Sequence, residues 1–153
     1  MRMSAQEEYG VRCLIVVARR APAGGPALAS IRDVAEAEGL SLDYAAKLLR
    51  VLRQGSLLDS ERGAAGGYRL ARPAREIPLS LVLQVLDTPL FGPEFCGAHA
   101  GQLGSCVHSG GCALRPIWTA IDSAVSSVLT RYTLADLLGP EPVVAPQPQG
   151  SHP

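Results

Sequence analysis

The stretch from Ser30 to Leu70 constrains the fold most. IRDVAEAE, one glycine, and SLDYAAKLLRVLRQ form two short helical runs joined by a tight turn. SLLDSERGAAGGYRL follows, with room for little more than a hairpin. Ser30 with Asp33 three residues on makes a capping box, and Ser41 stands where the second helix needs its cap. Gly39 can end the first helix in a left-handed conformation, and Leu40 then turns inward. Ile31, Val34 and Ala35 give the first helix an apolar side. Tyr44, Leu48, Val51 and Leu52 give the second its buried stripe, and Gly55 stops it. This is the helix-turn-helix pattern, although buried helical hairpins unrelated to nucleic acid share it.

The next segment narrows the choice. Leu57 to Glu61 and Gly67 to Leu70 read as two strands, and Gly63, Gly66 and Gly67 offer the positive φ angles expected of their turn. A hairpin directly after such a helix is a wing, and Arg62 sits at its tip. Ser41, Asp43, Tyr44 and Lys47 lie on the first turns of the second helix, where helices of this kind meet base edges. Arg50 and Arg62 complete the candidate DNA contacts, while Tyr44 suits inward packing as well. The chain is formally neutral, with 14 basic and 14 acidic residues. Their distribution is uneven: Lys47, Arg50, Arg53, Arg62, Arg69, Arg72 and Arg75 crowd one stretch, with only Asp43, Asp59 and Glu61 among them. A local basic face can bind phosphate in a neutral chain, and it can equally be a solvated surface.

The flanking segments complete a mainly α fold with a small β wing. Ser4 caps a helix to Arg20, with Glu7 closing a capping box. APAGGPALA is a loop. Pro73 and Pro78 bracket a link into the helical run LSLVLQVLD, which Pro89 and Pro93 end. Phe95 to Cys112 reads as an irregular loop, and a long helix follows through LRPIWTAIDSAVSSVLTRY with Pro116 in its first turn. Ile117, Ala120, Ile121, Ala124, Val125, Val128 and Leu129 make an apolar stripe suited to a partner subunit or to the chain's own core. Thr133 caps TLADLLG, and PEPVVAPQPQGSHP reads as a disordered tail. The expected division is a winged helix-turn-helix domain over 1–78, a cysteine loop and dimerisation helix over 79–139, and the tail over 140–153. With no apolar run long enough to span a bilayer and two glutamates near the start, no membrane or targeting segment is read and a cytoplasmic protein is expected.

Three of the four cysteines, Cys96, Cys106 and Cys112, fall in one Gly-, Ser- and His-rich segment. In a cytosolic chain that suggests metal or redox chemistry rather than disulfides. Zinc is one metal such residues can hold, but close C-x2-C pairs are missing. Cys13 lies within the first helix and reads as a small core residue. No nucleophile motif, phosphate loop or acid pair beside a base suggests an enzyme.

Taken together, MRMSAQEEYGVRCLIVVA, the run SLDYAAKLLRVLRQGSLLDSERGAAGGYRLARP, the three-cysteine segment and TLADLL resemble the IscR/NsrR-type winged-helix regulators of bacteria, the Rrf family. The resemblance covers nearly all of the chain except its tail. It implies a homodimer on a partly palindromic DNA operator, sensing iron, redox state or nitric oxide through an iron–sulfur cluster. It also implies that Cys96, Cys106 and Cys112 are ligands, with Glu8 of the other subunit as the leading fourth ligand and His99 or His108 as alternatives. The spacing Cys96-x9-Cys106-x5-Cys112 departs from the family's usual five-residue intervals, and Arg115 stands where IscR-like members carry a histidine. The missing histidine favours a 4Fe-4S over a 2Fe-2S cluster. The competing reading is a winged-helix regulator whose cysteines act as a thiol switch or bind zinc.

Overall fold

The computed structural model describes residues 3–86 and 95–139. Helix α1 spans Ala5–Arg20 and α2 spans Ile31–Glu38. Both begin with the expected capping boxes: Ser4 with Glu7, and Ser30 with Asp33. Gly39 takes the left-handed conformation at φ 64° and releases the chain into Ser41, whose hydroxyl accepts from the Tyr44 N–H to start α3, Leu42–Gln54. The next left-handed residue is Ser56, at φ 59°, rather than Gly55. Gly55 instead lies so close to Val85 that a Cβ would overlap the valine side chain.

Strands β1, Leu58–Glu61, and β2, Gly67–Leu70, pair antiparallel from Leu58↔Leu70 to Glu61↔Gly67. Ala29, just before α2, exchanges two 2.8 Å backbone hydrogen bonds with Tyr68 and ties the wing to the helices. The turn glycines serve two purposes. Gly63 has φ 116°, as expected. Gly66 and Gly67 are not left-handed: a Cβ on Gly66 would strike the Glu61 carbonyl, and one on Gly67 would stand 2.7 Å from the Ala29 oxygen.

One core joins α1, α2, α3 and the wing through Leu14, Val17, Val34, Leu48, Leu49, Leu52, Leu58 and Leu70. It also takes in Val82 and Leu86 of α4, Leu79–Leu86, and Leu134 of a 3-10 turn over Leu134–Leu137. The Gln6 amide donates to the Leu86 carbonyl, and Pro78 bridges to Thr133, so the chain returns to this core after the cysteine segment. Phe95–Cys112 is less irregular than its composition suggests. It contains a one-turn helix, α5, Phe95–Ala98, and a 3-10 turn, Gly101–Leu103. Helix α6 covers Arg115–Leu129 and buries none of its residues. The expected stops at Pro89 and Pro93 and the tail over 140–153 lie outside the described residues. Among the described residues no helix is long and apolar enough to cross a membrane.

Candidate nucleic-acid interface and cysteine segment

The exposed side of α3 follows from its burial pattern. Ala45, Leu48, Leu49 and Leu52 are buried in the core, which turns Asp43, Lys47, Arg50 and Arg53 toward solvent. Tyr44 is half-buried with its ring edge-on to Tyr9 at 6.1 Å. The first turn of α2, α3 and the wing enclose an open groove of about 710 Å³. Asp43 and Arg50 from α3 and Arg62 from the wing line it, and so do Arg53 and Arg32. Ser41 and Lys47 are exposed outside that lining.

Part of the basic stretch is neutralised. Arg69 pairs with Glu61 across the wing at 2.7 Å, and Arg75 lies 3.8 Å from Glu76. The Arg72 guanidinium donates to the Ser56 carbonyl at 3.5 Å. Arg69 and Arg72 are thus tied to the wing and to the turn before it, whereas Arg32, Arg50, Arg53 and Arg62 face the groove. Sequence reading missed Arg32 because it sits among Asp33, Glu36 and Glu38. Its signal was position: it follows a helix start and lies on the polar side of α2, whose Val34 and Ala35 are buried.

The thiols fall into two environments. Cys13 is fully buried, and burial pushes its thiol up to about 12, so it stays protonated. Cys96, Cys106 and Cys112 are half-exposed and free. The Arg115 guanidinium donates to Cys96 Sγ at 3.8 Å. His99 Nδ1 lies 2.8 Å from the Phe95 carbonyl oxygen, and its ring stacks on Phe95 at 4.1 Å. His108 is exposed. Glu8 is exposed on α1, one turn before Arg12, which pairs with Glu38 at 2.6 Å. Among the described residues no three His, Cys, Asp or Glu side chains gather into a metal-holding group. The donor set therefore suits a thiolate-bound cluster in chemistry, while its members, Glu8 included, are not assembled within one chain.

A helix with a solvent-facing basic side, followed by a bonded wing with an arginine tip, defines a winged-helix DNA-binding transcriptional regulator. A family model described as Rrf2, iron-dependent transcriptional regulator, matches residues 3–140, and the chain belongs to that family. It is 34% identical over 138 residues to the protein rrf2 of Nitratidesulfovibrio vulgaris, covering 90% of this chain and 87% of that protein. The fold matches T. potens IscR with a TM-score of 0.65 and 29% identity, covering 90% of this chain and 86% of that one. It also matches CymR of B. subtilis, named as the global cysteine regulator, with a TM-score of 0.67 and 30% identity, covering 90% and 96%. Two such differently named neighbours share one architecture.

Proposed function

We propose that this chain is a homodimeric regulator that reads an operator through α3 and the wing and senses iron, redox state or nitric oxide through an iron–sulfur cluster at Cys96, Cys106 and Cys112. Ser41, Asp43, Tyr44, Lys47, Arg50 and Arg62 are its DNA-facing residues. Residues 79–139 supply the sensing and dimerising part. The observation that carries the sensing reading is the contrast of thiols: Cys13 is sealed and held protonated, while three free, half-exposed thiols share one glycine-rich segment. Iron–sulfur clusters are held by such thiolates and bring redox-active iron.

Dimerisation is supported by α6. Ile117, Ile121 and Val128 are 58%, 36% and 44% exposed on one helix, an apolar stripe suited to a second copy. A dimer of this kind spaces two reading helices about one DNA turn apart, roughly 34 Å. It would also let Glu8 of a second copy complete the thiolate set, so that cluster and operator bias the same dimer arrangement.

The test is protein purified without oxygen. It should be brown, contain iron and sulfide, and shift DNA fragments selected from a random library. A second reading, a thiol-based regulator, is favoured by Arg115 lying against Cys96 and by the likeness to CymR. It requires colourless protein whose DNA binding responds to thiol oxidation. Colourless, zinc-loaded protein would favour a structural metal.

A further inference from the structure

We propose that the groove between α2, α3 and the wing carries one phosphodiester strand of duplex DNA, with Arg32 and Arg53 as phosphate contacts beyond the reading helix and wing tip. The proposal rests on the DNA reading above and extends it to a track that starts on α2. Four guanidinium groups, Arg32, Arg50, Arg53 and Arg62, line a groove of about 710 Å³ from three separate elements. Among the described residues none of the four makes an ion pair or hydrogen bond, so each remains available to an anion. The acidic lining is Asp43 and Glu61, and Glu61 is already compensated by Arg69 at 2.7 Å. Gly63, Gly66 and Gly67 also line the groove, and of the three only Gly63 has open space where a Cβ would stand.

A row of unpaired guanidinium groups from separate elements suits a chain of regularly spaced phosphates. Each such contact releases condensed counterions, so it appears in the salt dependence of binding and not in sequence preference. Arg32 and Arg53 flank the exposed α3 residues that would meet bases, so they would set the register of the duplex.

The experiment uses the full chain and labelled duplexes, one of random sequence and one selected for binding, with fluorescence anisotropy followed against salt. Arg32→Ala and Arg53→Ala should each flatten the log–log salt slope by about 0.9, the value for one phosphate. The loss should be proportionally equal on both duplexes. Lys substitutions at the two positions should restore the slope, because a lysine holds a phosphate as a point charge. Arg19→Ala, at an exposed position of α1 outside the groove, should leave the slope unchanged. Thermal melting should match the parent in every variant.

A parental slope in the Arg32→Ala/Arg53→Ala double variant, with slope lost in Arg50→Ala, would overturn the track and leave the DNA reading standing. Saturable binding of inorganic phosphate, lost in the double variant while the DNA slope persists, would make the groove a small-anion site instead. A parent that binds no duplex overturns the DNA reading and the track together.

Discussion

Helices α1 and α6 are built alike and used differently. Each runs about four turns and carries an apolar stripe, but α1 buries Cys13, Leu14, Val16, Val17 and Ala18 while α6 buries nothing. The thiols repeat the contrast: Cys13 sits inside the core, and Cys96, Cys106 and Cys112 stand half-open ahead of α6. The same residue types become structure where the chain covers them and candidate function where it does not. Residues 3–86 supply a closed frame, and the segment from Phe95 to Leu129 displays groups that await a partner or a ligand.

The sharpest way to break that comparison is to exchange the thiols. Cys96→Ala, Cys106→Ala and Cys112→Ala should each abolish bound iron and visible absorbance in anaerobic protein and shift operator affinity in one common direction. Cys13→Ala should keep the iron and cost about 1 kcal/mol of stability, as core changes commonly do. Alkylation of the native protein should label the three exposed thiols and spare Cys13. Burial raises the Cys13 thiol to about 12, so the folded state holds a proton that the unfolded chain releases above about 8.5. Its contribution is therefore complete below that pH and declines as pH rises toward 12. Cys13→Ala should remove that alkaline loss in melts run across the range. Iron retained in all three exposed-thiol variants would end the cluster reading.

A second test compares the stripes directly. Leu14→Ala, at a fully buried position of α1, should cost about 2–5 kcal/mol in denaturant unfolding. Ile121→Glu and Val125→Glu on α6 should leave the monomer fold intact and convert a dimer to monomers in sedimentation, since a charge buried at the interface is costly. Dimers surviving both changes would place the interface elsewhere.

Much of the frame was legible because its signals are local. The capping boxes Ser4–Glu7 and Ser30–Asp33 each lie within four residues and both form, and Thr133 stands at the start of the last turn as expected. What escaped was non-local. Gly66 and Gly67 read from sequence as positive-φ turn residues, yet their need is space against the Glu61 and Ala29 backbones. Gly10 is packed against the Leu86 side chain, a contact no local pattern announces. Arg32 joins the groove only because the Ala29–Tyr68 bridge draws the start of α2 to the wing. The cysteine segment was legible as donor chemistry and not as geometry, because Cys96, Cys106 and Cys112 are close in sequence but are not gathered into a ligand group.

A smaller effect sharpens the reading face. Asp43 is an exposed, acceptor-only carboxylate among arginines that suit phosphate, so its fitting partner in the major groove is a base amino group, cytosine N4 above all. Asp43→Asn should cost about 1–3 kcal/mol of discrimination at one operator position and move the preference there toward adenine. Sequences enriched from a random library by parent and variant measure this. Identical preferences would assign Asp43 to solvent.

The smallest expected effect concerns the caps that hold the reading unit in place. The Ser30 hydroxyl and backbone N–H both donate to Asp33, at 2.6 and 2.8 Å, and Arg20 lies 2.9 Å away. Those hydrogen bonds hold the Asp33 carboxyl below its ordinary value, with the arginine adding to the effect. Bonds from the Thr133 backbone and hydroxyl do the same for Asp136. A carboxylate depressed in the folded state releases its proton more readily there than in the unfolded chain. The unfolded state therefore binds more protons in the acid range, and stability rises with pH across it. The contribution is complete above the unfolded carboxyl value, about 3.9, and is lost as pH falls through the lower folded value. Ser30→Ala should cost about 1 kcal/mol near neutrality, the usual worth of an N-cap, and should flatten the acid arm of the stability profile. Thr133→Ala tests the same chemistry where the chain rejoins the core after α6. If the two variants differ, the Ser30 loss should also reach DNA affinity, because α2 carries Arg32 into the groove and the Thr133 turn carries nothing there. Equal losses of affinity from both caps would mean that the groove depends on global stability and not on the seating of α2.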